Sequence, residues 1–370
     1  MTRLFVSFIG LLIALTCPAQ NHQYDINKDG RVNIRDAVLL VNRILTAPND
    51  EETLGDDLLS RRLTVKVAEN PLSVPNEAKA GMRRAPAIFT NTLDHFYINM
   101  MYFDGDFWWN TDRSETYRIT TTGYYENNEH WPIYAGNDDD VTVFGYYSYY
   151  KSDVDFFELN DGNPYLMVAT EESSNDQRDV LVAKKVDTWN NCQGEVYLVF
   201  NHVCAALQFS LIKTAKLADY TVQVNEVKLH NIHKSGKYAL LTGEWFDVVG
   251  NSNFTLNAYK EGIENAITIG TDQETLIAKN ESDYLFLIPQ TITGMAKGTS
   301  IANADKDKAA YLEIKCKIFN QSNEYKVGSA NEYGSVYLPF SATLTAGHIH
   351  PFTISMGTAL RDANGNKIFN

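Results

Sequence analysis

Tyr220-Thr-Val-Gln-Val224 places an apolar or aromatic side chain at every second position. That period of two belongs to a strand with one buried face and one wet face. The same reading applies on either side of it. Leu63-Thr-Val-Lys-Val67, Phe96-Tyr-Ile-Asn-Met-Met-Tyr102 and Val196-Tyr-Leu-Val-Phe200 precede it. Tyr284-Leu-Phe-Leu-Ile288 and Tyr311-Leu-Glu-Ile-Lys315 follow. Turn pairs such as Asp104-Gly105, Asp161-Gly162 and Asn364-Gly365 punctuate these runs. Outside residues 36–45, long helical periodicity is nearly absent. The expected fold class is all-β, with tandem Greek-key sandwiches. A propeller is excluded because no blade period repeats. The length beyond residue 60 suits two sandwiches, expected over 61–190 and 191–370. The break falls in Asp187-Thr-Trp-Asn-Asn-Cys-Gln-Gly194, which interrupts two apolar runs.

Hydrophobic residues make up 44% of the 370, enough for sizeable cores. The net charge of −14 argues against nucleic acid and anionic membrane surfaces, which both call for clustered Lys and Arg. Tyrosine outnumbers tryptophan 21 to 5, a loading that suits strands and adhesive surfaces.

The N-terminus has a basic start and an apolar run from Leu4 to Leu15, too short to span a bilayer comfortably. Residues 1–19 are therefore expected to be a secretory signal. Two routes of processing stand open: cleavage after Ala19, or lipidation of Cys17 as the first mature residue. Either exports the chain, and only the second ties it to a membrane. Cys192, Cys204 and Cys316 remain, an odd number that leaves at least one thiol unpaired.

Asp25-Ile-Asn-Lys-Asp-Gly-Arg-Val-Asn-Ile-Arg-Asp36 has the spacing of a calcium loop. Asp25, Asn27 and Asp29 stand at its positions 1, 3 and 5, and Gly30 at the sharp turn. Arg31 offers a carbonyl, Asn33 reaches the ion directly or through water, and Asp36 closes the cage. Hard Ca²⁺ prefers six to eight oxygens, which this spacing converges on one point. Val38, Val41 and Leu45 then share one face of a short amphipathic helix. A loop followed by one helix resembles a type I dockerin repeat, spanning 22–46. The full module has two repeats and docks onto a cohesin; one is visible here. Residues 47–60 form an acidic linker broken by Pro48 and Gly55.

Several phrases, in order, resemble the fimbrillin family of type V pilins and related surface adhesins. They are Arg84-Ala-Pro-Ala-Ile-Phe-Thr-Asn-Thr-Leu-Asp-His-Phe-Tyr-Ile98, Trp131-Pro-Ile-Tyr134 and Val143-Phe-Gly-Tyr-Tyr147. Asp179-Val-Leu-Val-Ala183 and Val199-Phe-Asn-His-Val-Cys-Ala-Ala-Leu-Gln-Phe209 come next. Leu287-Ile-Pro-Gln-Thr291, Val336-Tyr-Leu-Pro339 and Asp362-Ala-Asn-Gly-Asn366 complete the set. Ala342–Gly347 departs from the pattern by lacking a tryptophan before the glycine. The resemblance implies two transthyretin-like sandwiches in a non-enzymatic cell-surface or outer-membrane protein of a fimbrium. Its partners would be other fimbrial subunits or surface proteins. Such subunits join by strand addition after an N-terminal strand is removed. Leu63–Val67 is then the candidate removable strand, and Arg83-Arg84 the candidate cleavage site.

Chemistry of other kinds finds little support. No metalloprotease, nucleophile-elbow or phosphate-loop motif occurs. His348 and His350 lack a third zinc ligand nearby in sequence. Asp138–Asp140 reads as an acidic loop, and Asp153, Asp155 and Glu158 have no fixed separation that would make them glycosidase carboxylates. Trp108 and Trp109, expected in an Asp104–Asp112 loop, are candidates to stack on a sugar or to plug a sandwich. An alternative function follows from these features: a calcium-dependent dockerin-type module that binds a cohesin-like partner and presents glycan-binding sandwiches.

Overall fold

A computed structural model describes residues 61–69, 95–103, 108–110, 115–119, 125–132, 135–147, 154–158, 164–174, 176–177, 179–257, 266–271, 273–277 and 284–369. The described chain is predominantly β. Its early strands are β1 (Arg62–Glu69), β2 (His95–Phe103), β3 (Trp108–Asn110), β4 (Glu115–Ile119), β5 (Tyr125–His130) and β6 (Val141–Tyr147). Next come β7 (Val154–Glu158), β8 (Pro164–Ala169), β9 (Leu181–Asp187), β10 (Glu195–His202), β11 (Ala205–Lys213) and β12 (Tyr220–Ala239). Then follow β13 (Trp245–Asn257), β14 (Ile267–Thr268), β15 (Thr275–Leu276), β16 (Leu285–Leu287) and β17 (Thr291–Ile292). The last are β18 (Tyr311–Asn320), β19 (Tyr325–Val327), β20 (Gly334–Pro339), β21 (Ala342–Thr343) and β22 (Ile349–Met356). Helix α1 (Trp189–Cys192) occupies the expected break, and α2 (Ile301–Asp307) precedes β18.

The chain divides into two compact units, each assembled from separated segments. Among the described residues, one takes those within 61–66, 98–143 and 185–196; the other takes those within 67–97, 144–184 and 197–369. In the first, neighbouring strands run β3-β2-β4-β5-β1. Leu63, Val65, Met100, Trp131 and Val143 are among its buried apolar residues.

In the second unit, β12 is the spine. It pairs antiparallel with β8, β13, β14 and β18, and β18 pairs in turn with β19 and β20. Twenty residues cannot keep one face dry without correction, because sheet twist and curvature accumulate along the strand. The buried positions step by two at Val222–Val224 and again at Val227–Leu229, with steps of three at Val224–Val227 and Leu229–Ile232. Each step of three coincides with an irregularity in the ladder. At the second, Asn231 adopts φ +61°, a left-handed conformation that asparagine tolerates better than most residues. Its side chain donates to Asp305 Oδ1 at 3.2 Å and to the Ala309 carbonyl at 3.1 Å.

Strand β11 anchors a smaller sheet with β15 and β16, and pairs in parallel with β22 from Ala206↔Ile349 to Lys213↔Met356. Leu207, Phe209 and Leu211 share one core with Val227, Leu229, Ile314 and Val336 of the spine sheet. The unit is thus two sheets packed over a common apolar layer.

One expectation needs correction, and one element was not anticipated. Trp108 and Trp109 lie in strand β3 rather than a loop, paired with Phe103 and Tyr102. Helix α2 had no sequence signal, because seven residues give no readable helical period.

Candidate functional site

Strand β1 and its seat form the most built-up site in the first unit. Leu63 and Val65 are 1% and 0% exposed, while Thr64 and Lys66 between and after them are half-buried. The alternation read from the sequence is therefore the alternation of burial. On one side β1 pairs antiparallel with β5, matching Arg62 to His130, Thr64 to Glu126 and Val65 to Tyr125. The register shifts between Arg62 and Thr64. On the other side, the Thr64 N–H donates to the Gly194 carbonyl at 2.7 Å. The Lys66 ammonium lies 2.5 Å from Glu195 Oε1, but both side chains are substantially exposed, so the pair adds little.

Arg61, just ahead of β1, lay outside the sequence reading. It continues the buried phase of Leu63 and Val65 and is 5% exposed. Its carbonyl accepts the Trp131 N–H at 2.8 Å. Its guanidinium donates to the Ala135 carbonyl at 3.2 Å and to Asn137 Oδ1, and its Cζ lies 5.2 Å from the centroid of the Trp189 ring. Trp189 in turn meets the fully buried Trp131, with centroids 6.1 Å apart. The loop carrying Asn137 is fastened in place. The Asn190 N–H donates to the Asn137 carbonyl at 2.9 Å, and the Asn190 amide to Asp138 Oδ1 at 2.8 Å. Asp139 Oδ2 accepts from the Gly136 N–H at 2.6 Å and from the Tyr102 hydroxyl at 2.8 Å. Asp138 and Asp139 of the acidic run thus pin a loop.

A strand lodged between two neighbours, with two aliphatic side chains in the core, leaves a defined vacancy when withdrawn. Backbone donors and acceptors on both flanks lose partners, and an apolar slot opens. That surface suits another extended segment.

The remaining sequence candidates fall elsewhere. Asp25, Asn27, Asp29, Arg31, Asn33, Asp36, Cys17, Arg83 and Arg84 lie outside the described residues. His348 Nδ1 contacts the Ala346 carbonyl at 2.7 Å, and His350 Nε2 accepts from the Thr345 N–H at 3.1 Å. Burial pushes the His350 pKa down, which favours that neutral acceptor. His230 sits 2.9 Å from Glu313 and stacks on Tyr311 at 4.4 Å. The His202 ring meets the Asp179 carboxylate in the second unit. Cys204 and Cys316 are buried with thiol pKa values raised by desolvation, Cys316 to about 12. Among the described residues, no three His, Cys, Asp or Glu side chains gather where they could hold a metal. Nor is any helix there long and apolar enough to cross a membrane.

A family model described as fimbrillin-like matches residues 98–368, a stretch that begins beyond β1. Among solved structures, a fimbrial protein from Bacteroides vulgatus is similar at 16% identity and a TM-score of 0.50. The match covers 80% of this chain and 95% of that one. A candidate cell adhesion protein from Bacteroides ovatus is 15% identical over 81% of this chain and 94% of its own, with a TM-score of 0.43. At such identities the first likeness speaks to the fold alone. No curated protein matches the chain.

Proposed function

Because the chain belongs to the fimbrillin-like family, we propose that it is a non-enzymatic surface subunit or adhesin that joins other fimbrial subunits by β-strand addition. The observation that carries the reading is the seat of β1: a strand of nearly complete burial at Leu63 and Val65, paired on both flanks. Main-chain hydrogen bonds would give an incoming strand its affinity, and alternate side chains its specificity. Cleavage at Arg83-Arg84 would sever β1 from the rest of the chain and free it to be exchanged. The finer architecture in this reading is a pair of transthyretin-like sandwiches.

The proposal extends to the N-terminus. The Asp25–Asp36 loop binds Ca²⁺ and stiffens or docks the segment ahead of the sandwiches, and export places the protein at the cell surface. A cut at Arg84 would detach this calcium module, so a subunit that keeps the module is one that stays uncut or uses it before processing.

The test is limited trypsin digestion, followed by incubation and a denaturing gel without boiling. Ladders should form from the wild type and not from a variant carrying Lys79→Ala, Arg83→Ala and Arg84→Ala, which removes every trypsin site between Glu69 and His95. A fully nicked protein that stays monomeric contradicts strand addition. For the metal, a chelator should speed hydrogen exchange across Asp25–Leu45; equal exchange with and without Ca²⁺ removes the calcium claim.

A further inference from the structure

An apolar strand needs no arginine to hold it in a slot, yet β1 is led into its seat by one. The main chain of Arg61 is tied to Trp131, and its guanidinium meets one backbone carbonyl, one side-chain amide oxygen and the face of Trp189. These three partners come from two segments that are bonded to each other through Asn190 and do not belong to β1. The walls around the guanidinium are therefore held together without the strand. We propose that these walls form a guanidinium-reading pocket that selects and registers whichever strand fills the slot. Its ligand is an extended peptide of the form Arg-X-aliphatic-X-aliphatic, lying antiparallel to β5. This inference rests on the strand-exchange reading and adds the specificity rule to it.

The physical case is one of register. A one-residue slip along a strand sends every side chain to the opposite face. Two aliphatic positions alone tolerate a slip of two. Arg61 removes that freedom, because a slip of two in either direction leaves the pocket facing an aliphatic side chain, Leu59 or Leu63. Lysine is a poor substitute: it is a point charge, and a planar fork is needed to reach two acceptors while lying against a ring. A buried polar group that fixes register at some cost in stability has precedents in other folds.

The test uses the full chain nicked by trypsin, and a fluorescent peptide with the sequence of residues 58–69. The unaltered peptide should replace the resident strand. Versions carrying Arg61→Met and Arg61→Lys should bind about tenfold more weakly or worse, as expected for losing hydrogen bonds to a charged donor. A Lys66→Gln peptide should stay within about twofold, since it loses only an exposed pair. Equal binding of the Arg61→Met and unaltered peptides overturns the pocket. If no peptide enters at all, strand exchange itself fails, and the pocket is judged in the intact chain. There, Arg61→Met, or Asn137→Ala should the first variant fold poorly, should speed exchange of the Arg62–Val67 amides about tenfold. Unchanged exchange there overturns the pocket independently.

Discussion

Replacing Leu63 by alanine tests how firmly β1 is seated. Leu63 is 1% exposed in a strand paired on both flanks, so its side chain is fully committed to the core of the first unit. Transfer of a leucine side chain out of water contributes about 1.5–3 kcal/mol, and truncation leaves a cavity that the flanking strands close only in part. The expected loss for Leu63→Ala is about 2–5 kcal/mol. With a urea slope of about 1–3 kcal/mol per molar, the midpoint of the first unit should fall by about 1–2 M. The assay is urea unfolding followed by tryptophan fluorescence, because Trp131 and Trp189 lie in that unit. Thr64→Ala, at the alternate register position, should move the midpoint far less. A shift below about 0.3 M for Leu63→Ala would refute the claim that β1 is an integral part of the core.

Other perturbations probe the second unit. The hydrogen bond from His230, with help from Ser335, holds the Glu313 pKa down to about 2 against an ordinary 4.5. A depressed carboxylate pKa stabilises the fold above its unfolded pKa, and that stability is lost as pH falls from about 4.5 towards 2. Glu313→Gln should flatten this acid limb by about 1–2 kcal/mol, after discounting for partial solvent screening, as read by urea unfolding between pH 5 and pH 2. Asn231→Ala should destabilise by about 1–3 kcal/mol through lost bonds and a strained positive φ. Asn231→Gly should cost less, because glycine accepts that conformation, and a thermal melt of the pair distinguishes them. Alkylation of the native protein followed by mass spectrometry should label Cys192 before Cys204 and Cys316, which are buried and should react only on unfolding.

The alternating runs made most strands legible, because a half-buried strand cannot hide its period. Leu63–Val67, Tyr220–Val224 and Tyr311–Lys315 all fall in strands of the structure. What stayed hidden has particular causes. The length of β12 was obscured by ladder irregularities between Val224 and Glu226 and between Leu229 and Ile232, with a third between Ser235 and Lys237, which break the period of two. Strands β15, β17 and β21 have two residues each, too few for any pattern. Trp108 and Trp109 read as loop because Asp104-Gly105 and Asp112 bracket them, and pairing with β2 overrode those turn signals. Arg61 escaped because a charged residue beside an apolar run reads as a boundary, and its partners lie 74 and 76 positions away. A period of two carried one step back from Leu63 would have marked it as facing the core.

The central claim is that β1 fills a slot that another strand can take. The most direct measurement is hydrogen exchange of the β5 amides, Tyr125–His130, in the intact protein, in the nicked protein stripped of its N-terminal fragment, and in the assembled product. The account predicts protection, then loss of protection, then recovery. Amides that stay equally protected in all three states would contradict it.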